Sequence, residues 1–569
     1  MKYHLKETEK KITAAFSLCL LALGIIFIFR QFYGFNKNDE IYYLSMTRRF
    51  VQGDGMLVDE WNNGQLFTFL LYPFVWIVTH ILGGTEGIVL AARISFVLFQ
   101  AAVACASFYL MKEQGLPAAV CGIAYFVFTP FNISAFSYNT LVLAFLYLIF
   151  SAVASGRQRG KRGWIFLGIL TAFTVLANPY TLILYLLYGL LCIGNTICRK
   201  QKTGVVCWRS LVWLTVGAGL VLIVFLIFVF SRGSLQEILQ SLDPIINDAE
   251  RQKPVWEKTL KYAERMWRYY GGMLCMAAVC GFLFFLDKKR RIPGWLYMSA
   301  AGLVTAAYIL YYGLVWDHVP MNFIQVPISF LGLAAYMTNP ERKKRVFIYW
   351  YLPVLFFTYL MHMAADTGIL AVSSAYWLVS AASVYLLWDH LKTWKRSSAA
   401  CMLFLCVCSL QILTTSRLRV IYVWGDDPLP ALTARMEEGP MKGIYTTKEN
   451  QELYTETLSD IQSLGLTKDD RLLVAGLAPW IYLDVDARVA SYTTWEIPVQ
   501  ENLLARYYEQ AHEMPDLVYI PELIEEPLET KLAKYFTEAG YTSIEMKRGV
   551  AMLRNNTDTT GGKLSGNAV

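Results

Sequence analysis

Apolar runs that approach the length needed to cross a bilayer, about 20 residues, recur between residues 12 and 415 and then stop. They fall at 12–30, 88–110, 117–133, 139–155, 164–178, 180–197, 211–230, 269–286, 295–315, 322–338, 346–363, 369–388 and 399–415. Beyond residue 415 the pattern becomes short mixed segments rich in Glu, Asp, Lys and Thr, and no window there spans. Glu449–Leu464 has helical periodicity, Arg471–Ala475 and Pro515–Ile520 read as buried strands, and Trp480–Leu483 opens another helix. The pattern predicts a polytopic α-helical membrane domain with about 13 transmembrane helices over residues 1–415. A soluble α/β domain over 416–554 and a polar, Gly-rich, disordered tail over 555–569 follow.

The loops decide one ambiguous segment. Arg157–Arg162, Arg199–Lys202 with Arg209, Lys288–Arg291, Arg342–Arg345, and Lys392 with Lys395-Arg396 are basic, as is the N-terminus with Lys2, Lys6, Lys10 and Lys11. The loops near Ser137–Asn139, Asn178–Tyr180, Trp316–Asn322 and Ala364–Gly368 contain no Lys or Arg. Excess positive charge marks the cytoplasmic side, so the N-terminus is expected inside and the C-terminal domain outside. Leu66–Leu82 is apolar enough to span, but counting it would reverse every later loop. With Tyr72-Pro73 inside and Gly83-Gly84 after, it reads as an interfacial or re-entrant helix on the outer side. Residues 31–87, 231–268 and everything from 416 then face outward.

Composition supports this class. Hydrophobic residues make up 56% of 569, aromatics 15%, and charged residues 17%, against roughly 25% charged in a soluble domain. The net charge of +7 lies largely in the clusters between spans and is no sign of nucleic-acid binding. All eleven Cys fall in spans or cytoplasmic loops, so no external disulfide framework is expected. Together with the compact loops, this favours a bacterial plasma membrane.

The outward segments carry the candidate chemistry. Asp39 and Glu40 follow the first span and open a short helix over 38–52. Locally, Asp39 suits first a helix cap, worth about 1 kcal/mol; the sharper alternative is a general base that takes a proton from an acceptor hydroxyl. Arg93, near the outer end of its span, needs a partner: an acid such as Asp39, or a lipid phosphate. Arg265 and Arg268 in the second outward loop are candidates to grip an anionic headgroup. His318 and His362 (with Asp366 nearby) lie at outer span ends, where most such residues are interfacial anchors. No His or Cys accompanies the acids and their spacing fits no metal motif. The C-terminal domain has no glycine-rich phosphate loop and no Ser-His-Asp pattern.

Several stretches carry a family resemblance. They are Asp39-Glu40 after the first span, Gln65–Pro73, Gly83-Gly84 to Ser95, Tyr125 through Thr129-Pro130 to Asn139, and Leu176–Pro179. Over the first 200 or so residues the chain resembles the GT-C superfamily of membrane glycosyltransferases, which includes protein O-mannosyltransferases and the lipid A aminoarabinose transferase. The resemblance implies a sugar donor linked to a polyprenyl phosphate and inverting transfer to an envelope glycan, lipid or protein. It implies Asp39 as the acid that activates the acceptor, Glu40 as its companion, and no obligatory metal or other cofactor. Arg93, Arg265, Arg268 and His318 are then candidates for the donor's lipid phosphate, with Tyr138 and Asn139 on the acceptor side. Two positions depart from the family pattern: Asn139 stands where many relatives have a second acid, and Gln65 where some have Lys. A lipid-linked-oligosaccharide transporter, a non-catalytic envelope scaffold, and a polymerase or ligase using a pyrophosphate donor are the competing readings.

Overall fold

The computed structural model describes residues 2–37, 39–81, 83–157, 160–198, 205–246, 254–286, 293–315, 322–338, 340, 343–364, 372–392, 397–421, 425–495, 502–510, 512–523 and 526–555. The chain is a multi-pass helical membrane protein with a C-terminal α/β domain. The helices of the first part are α1 (Lys2–Arg30), α2 (Asp39–Val51), α3 (Thr68–Ile81), α4 (Ile88–Met111), α5 (Leu116–Val127), α6 (Tyr138–Ser155), α7 (Gly160–Ala177), α8 (Leu182–Ile197), α9 (Trp208–Phe230), α10 (Leu235–Ile246), α11 (Val255–Leu286), α12 (Gly294–Val315), α13 (Asn322–Thr338), α14 (Lys344–Val346), α15 (Leu352–Ala364), α16 (Ser373–Leu391) and α17 (Ser397–Ile421). A π-helical turn over Phe347–Tyr351 joins α14 to α15.

Ten helices of the described residues are long and apolar enough to cross a membrane. With α5, α13 and α16 they occupy the thirteen segments expected from hydropathy. Side chains such as Leu18, Ile25, Leu190, Ile227 and Leu303 remain exposed, as a lipid-facing surface requires. By contrast, α16 is buried on nearly every side from Ser373 to Leu387, the signature of a helix at the centre of a bundle. Where α7 crosses α9, Gly168 and Gly217 allow backbone contact. A Cβ on Gly168 would lie 2.0 Å from the Leu214 carbonyl oxygen, and one on Gly217 2.0 Å from that of Ile165.

Three boundaries differ from expectation. The helix expected over 117–133 stops at Val127, because Thr129 precedes Pro130 and is driven to extended backbone. The following Phe131 and Asn132 both take positive φ, 54° and 59°. The last span runs to Ile421, past the expected end at 415. In addition, α11 begins at Val255, so Arg265 and Arg268 sit on a long helix. Within the segment read as interfacial, α3 covers Thr68–Ile81, is short for a crossing, and packs Leu71, Val75 and Val78 inward while Trp76, Ile77 and Ile81 stay exposed.

The C-terminal α/β domain contains β1 (Ala434–Arg435), β2 (Tyr445–Thr446), α18 (Lys448–Ser463), β3 (Arg471–Val474), α19 (Ile481–Asp484), β4 (Arg488–Val489), α20 (Asn502–Glu509), β5 (Leu517–Pro521), α21 (Glu526–Glu538), β6 (Tyr541–Glu545) and β7 (Gly549–Arg554). Its main sheet has the order β4-β3-β5-β7-β6, parallel across β4-β3-β5 and antiparallel across β5-β7-β6. Parallel strands must be covered on both faces, and β5 is buried along its whole length.

Candidate functional site

The site forms where α2 begins, at the end of the bundle that carries the soluble domain. Adjacent residues on a helix point about 100° apart, and this rotation gives Asp39 and Glu40 different surroundings. Glu40 is buried and faces Arg93 near the start of α4. Arg93 Nε donates to Glu40 Oε2 at 2.8 Å, and its Nη2 donates to Oε1, a two-pronged pair. The remaining Arg93 donors reach the carbonyls of Gln31 (3.1 Å) and Gly34 (2.8 Å). Arg93 thus takes Glu40 as its acid, not Asp39.

Asp39 is half-buried and lies near Tyr43, one turn along α2. The Tyr43 ring meets Tyr138 edge-on at 6.0 Å and Phe67 at 5.1 Å. Burial first, then Tyr138 and the Asp39 carboxylate, hold the Tyr43 hydroxyl well above its usual range, so it keeps its proton. Tyr138 and Asn139 are placed by a capping box at the start of α6, in which Ser137 and Thr140 satisfy each other's backbone amides. Asn139 is buried, and its carbonyl accepts from Ser374 on α16. The soluble domain completes the shelf: Trp495 stacks on Tyr42 at 4.1 Å and lies 5.9 Å from Tyr43.

Beside Glu40 a small cavity opens between helix ends, lined by Arg30, Tyr33, Glu40, Arg93, Asn132 and Arg419 among others. Arg30 ends α1, Arg419 lies near the end of α17, and Asn132 follows the early stop of α5. Arg30 donates to the carbonyls of Val420 (2.7 Å) and Tyr33 (2.6 Å). Arg265 and Arg268 do not line this cavity, and Arg268 is exposed over the Tyr269 ring. His318 and Asp366 lie outside the described residues. His362 is buried in α15, with Nε2 3.2 Å from the Lys258 carbonyl, and packs on Tyr262. Among the described residues no cluster of His, Cys, Asp or Glu has metal-site geometry.

The soluble domain is tied to the first loop by a second buried cluster. Arg49 Nε donates to Asp54 (2.6 Å), Nη1 to Glu60 (3.1 Å) and Nη2 to the Tyr507 hydroxyl (3.0 Å). Glu60 also accepts from the Thr494 amide at 3.2 Å. His512 stacks on Tyr507 at 3.9 Å and sits 3.3 Å from Asp59. Gln65 is fully buried here: its Nε2 donates to the carbonyls of Glu60 and Asn62, and its Oε1 accepts from the Leu57 amide. Its neutral amide serves the fold of the loop.

Sequence reasoning missed Arg30, Arg419, Asn132 and Trp495. Arg30 was visible as a lone cation closing the first span, and Arg419, with Arg417 two residues before it, as a cation following the last. Nothing local marked Trp495, which reaches the site only through the docking of the soluble domain.

No protein-family model matches the sequence, and no curated protein matches it. Among solved structures, the chain is similar to the Archaeoglobus fulgidus oligosaccharyltransferase tethered with an acceptor peptide. The TM-score is 0.45 at 10% identity, over 96% of this chain and 74% of that one. It is also similar to the archaeal oligosaccharyltransferase AglB from Archaeoglobus fulgidus in complex with an inhibitory peptide and a dolichol-phosphate. There the TM-score is 0.43 at 10% identity, with the same coverage.

Proposed function

We propose that the chain is a membrane glycosyltransferase that moves a sugar from a polyprenyl-phosphate donor to an envelope acceptor at the outer membrane surface. Asp39 accepts the acceptor's proton. The acceptor oxygen attacks the anomeric carbon from the face opposite the phosphate, the bond from that carbon to the phosphate oxygen breaks, and the polyprenyl phosphate leaves with the bonding electrons. The configuration inverts.

The observation that carries this reading is the division of labour between the paired acids. Glu40 is committed to Arg93, while Asp39 opens α2 beside an aromatic shelf of Tyr43, Tyr138 and Trp495. The partial positive charge of a helix N-terminus favours an ionised Asp39, the state a base requires. The resemblance to the GT-C superfamily assigns Asp39 the same role.

The test is Asp39→Asn, which keeps size and polarity but removes the basic oxygen. The purified variant should remain monodisperse and lose transfer from a radiolabelled polyprenyl-phosphate sugar by at least about 10²-fold, the lower range for a general base. Transfer at the wild-type rate would refute the assignment.

A further inference from the structure

Helix α10 is apolar on two faces, and only one of them is covered by protein. On the covered face Ile238 joins the apolar cluster that Val58 forms with the later turns of α9 at Val221, Phe225 and Val229. Further along, Ile245 belongs to the cluster of Trp61, Leu504 and Tyr507. The Ser241 hydroxyl donates to the Val58 carbonyl at 3.4 Å, and Asp243 pairs with Arg506 of α20 at 2.7 Å. These contacts hold α10 between the end of α9 and the C-terminal domain. The second face carries Leu235, Leu239, Leu242 and Ile246, whose helical spacing forms one stripe. Leu242 is half-buried, but Leu235, Leu239 and Ile246 are 59%, 58% and 69% exposed. Single exposed aliphatics are ordinary, whereas a stripe about 18 Å long marks an interaction surface.

The position of the stripe tells what covers it. α10 begins shortly after α9 ends at Phe230, where Ile227 and Phe230 are exposed as lipid-facing residues. Phe69 and Tyr72 of α3 meet Phe225 and Phe228 of α9 ring to ring, so α3 lies level with the last turns of that span. Arg232, between α9 and α10, donates to the Phe50 carbonyl and, at 2.8 Å, to the Tyr72 hydroxyl. The Leu235 end of α10 is thereby fixed beside the membrane end of α9 and continues its apolar surface. α10 contains no Lys or Arg, and its charges are Glu237 and Asp243, so headgroup charge offers no attraction. What remains is burial of the aliphatic side chains, the term that holds an amphipathic helix in the plane of a bilayer surface.

We propose that the exposed face of α10 is seated in the lipid surface on the side of the bundle that carries the C-terminal domain, at the boundary between headgroups and acyl chains. The partner is lipid, held through Leu235, Leu239 and Ile246 and not through charge. Because its other face packs with Trp61 and pairs with Arg506, α10 props the C-terminal domain against the bilayer. The assignment stands independently of sugar transfer, since it uses no residue of the Asp39 site.

The test places the photoreactive residue p-benzoylphenylalanine at the position of Leu239 and, as a control, at that of Gln240, which is exposed on the polar side of the helix. The full-length protein is reconstituted in phosphatidylcholine nanodiscs and irradiated, and mass spectrometry of α10 peptides counts lipid adducts. The Leu239 position should give lipid adducts at least about tenfold more often than the Gln240 position. A smaller ratio overturns the proposal, as do cross-links from Leu239 to a second copy, or to another part of the chain, in place of lipid. Replacing about one third of the lipid with anionic phosphatidylglycerol should leave the yield of lipid adducts within about twofold. A larger rise would show attraction by headgroup charge and overturn the apolar mode of attachment. Should the Leu239 variant not yield monodisperse protein, Leu235 carries the probe and is judged by the same tenfold criterion.

Discussion

Arg93 and Glu40 face each other through two hydrogen bonds in a buried environment, and the rest of the guanidinium is saturated by backbone carbonyls of the turn after α1. The pair therefore fixes that turn, the start of α2 and the start of α4 to one another. Removing one partner leaves a buried charge. Glu40→Leu or Arg93→Met alone should cost about 3–5 kcal/mol of stability, whereas the two together should cost less than the sum of the single changes. Unfolding of the four proteins in detergent measures the coupling, and additive effects would contradict the pairing.

Arg49 holds the soluble domain in the same manner. Arg49→Met leaves Glu60 buried without its counter-charge and removes the bond to Tyr507. The expected result is release of the soluble domain from the loop, seen as faster limited proteolysis within residues 425–555 while the membrane helices stay folded. Unchanged proteolysis would show that Trp61 and its neighbours suffice.

Asp54 and Asp59 belong to this cluster but respond to pH in opposite senses. Burial raises Asp54, and Arg49 offsets this only in part. Burial also pushes Asp59 upward, but the His512 hydrogen bond, the Arg49 charge and the Gly55 amide outweigh it and leave Asp59 low. The stability linked to Asp54 is thus fully present below the ordinary carboxylate value of about 3.9 and is lost as pH rises through its raised folded value. That linked to Asp59 is present above about 3.9 and is lost as pH falls through its lowered folded value. Relative to wild type, Asp54→Asn should gain stability as pH rises from about 4 to about 7, and the deficit of Asp59→Asn should shrink below about pH 4. Thermal unfolding across pH at constant ionic strength reads both, and slopes of the same sign would refute the assignment.

The crossing of α7 and α9 admits no side chain at its centre. Gly217→Val places atoms where the Ile165 carbonyl stands, so the backbones must separate. Overpacking of this kind costs about 1–3 kcal/mol or more. The yield of monodisperse protein should fall sharply, and Gly219→Val, whose Cβ would meet nothing within 4 Å, should behave as wild type.

Much of this organisation was legible in the sequence because bilayer spans are strong local signals. Thirteen apolar segments and the strands around Arg471 and Pro515 follow from hydropathy and periodicity. The early end of α5 was signalled by Thr129-Pro130, yet a count of apolar residues carries the run past it. That Arg93 would need a partner, an acid or a lipid phosphate, was evident from its place in a span. Which of two adjacent acids it takes depends on the rotation of α2, which only packing determines. Arg30 and Val420 meet across 390 residues of chain, and no local pattern encodes that the cations ending the first and last spans share one cavity.

The soluble domain is fastened far from the point where the chain enters it. Tyr33 and Tyr445 form a parallel bridge, the Gly87 amide donates to the Gly439 carbonyl, the Trp61 amide donates to the Tyr492 carbonyl, and Lys442 pairs with Glu86. Covalent continuity after α17 is therefore a minor part of its attachment. A gene interrupted at that junction would still encode two polypeptides with matching faces, so fragment complementation offers a way to exchange the C-terminal domain while keeping the membrane part intact.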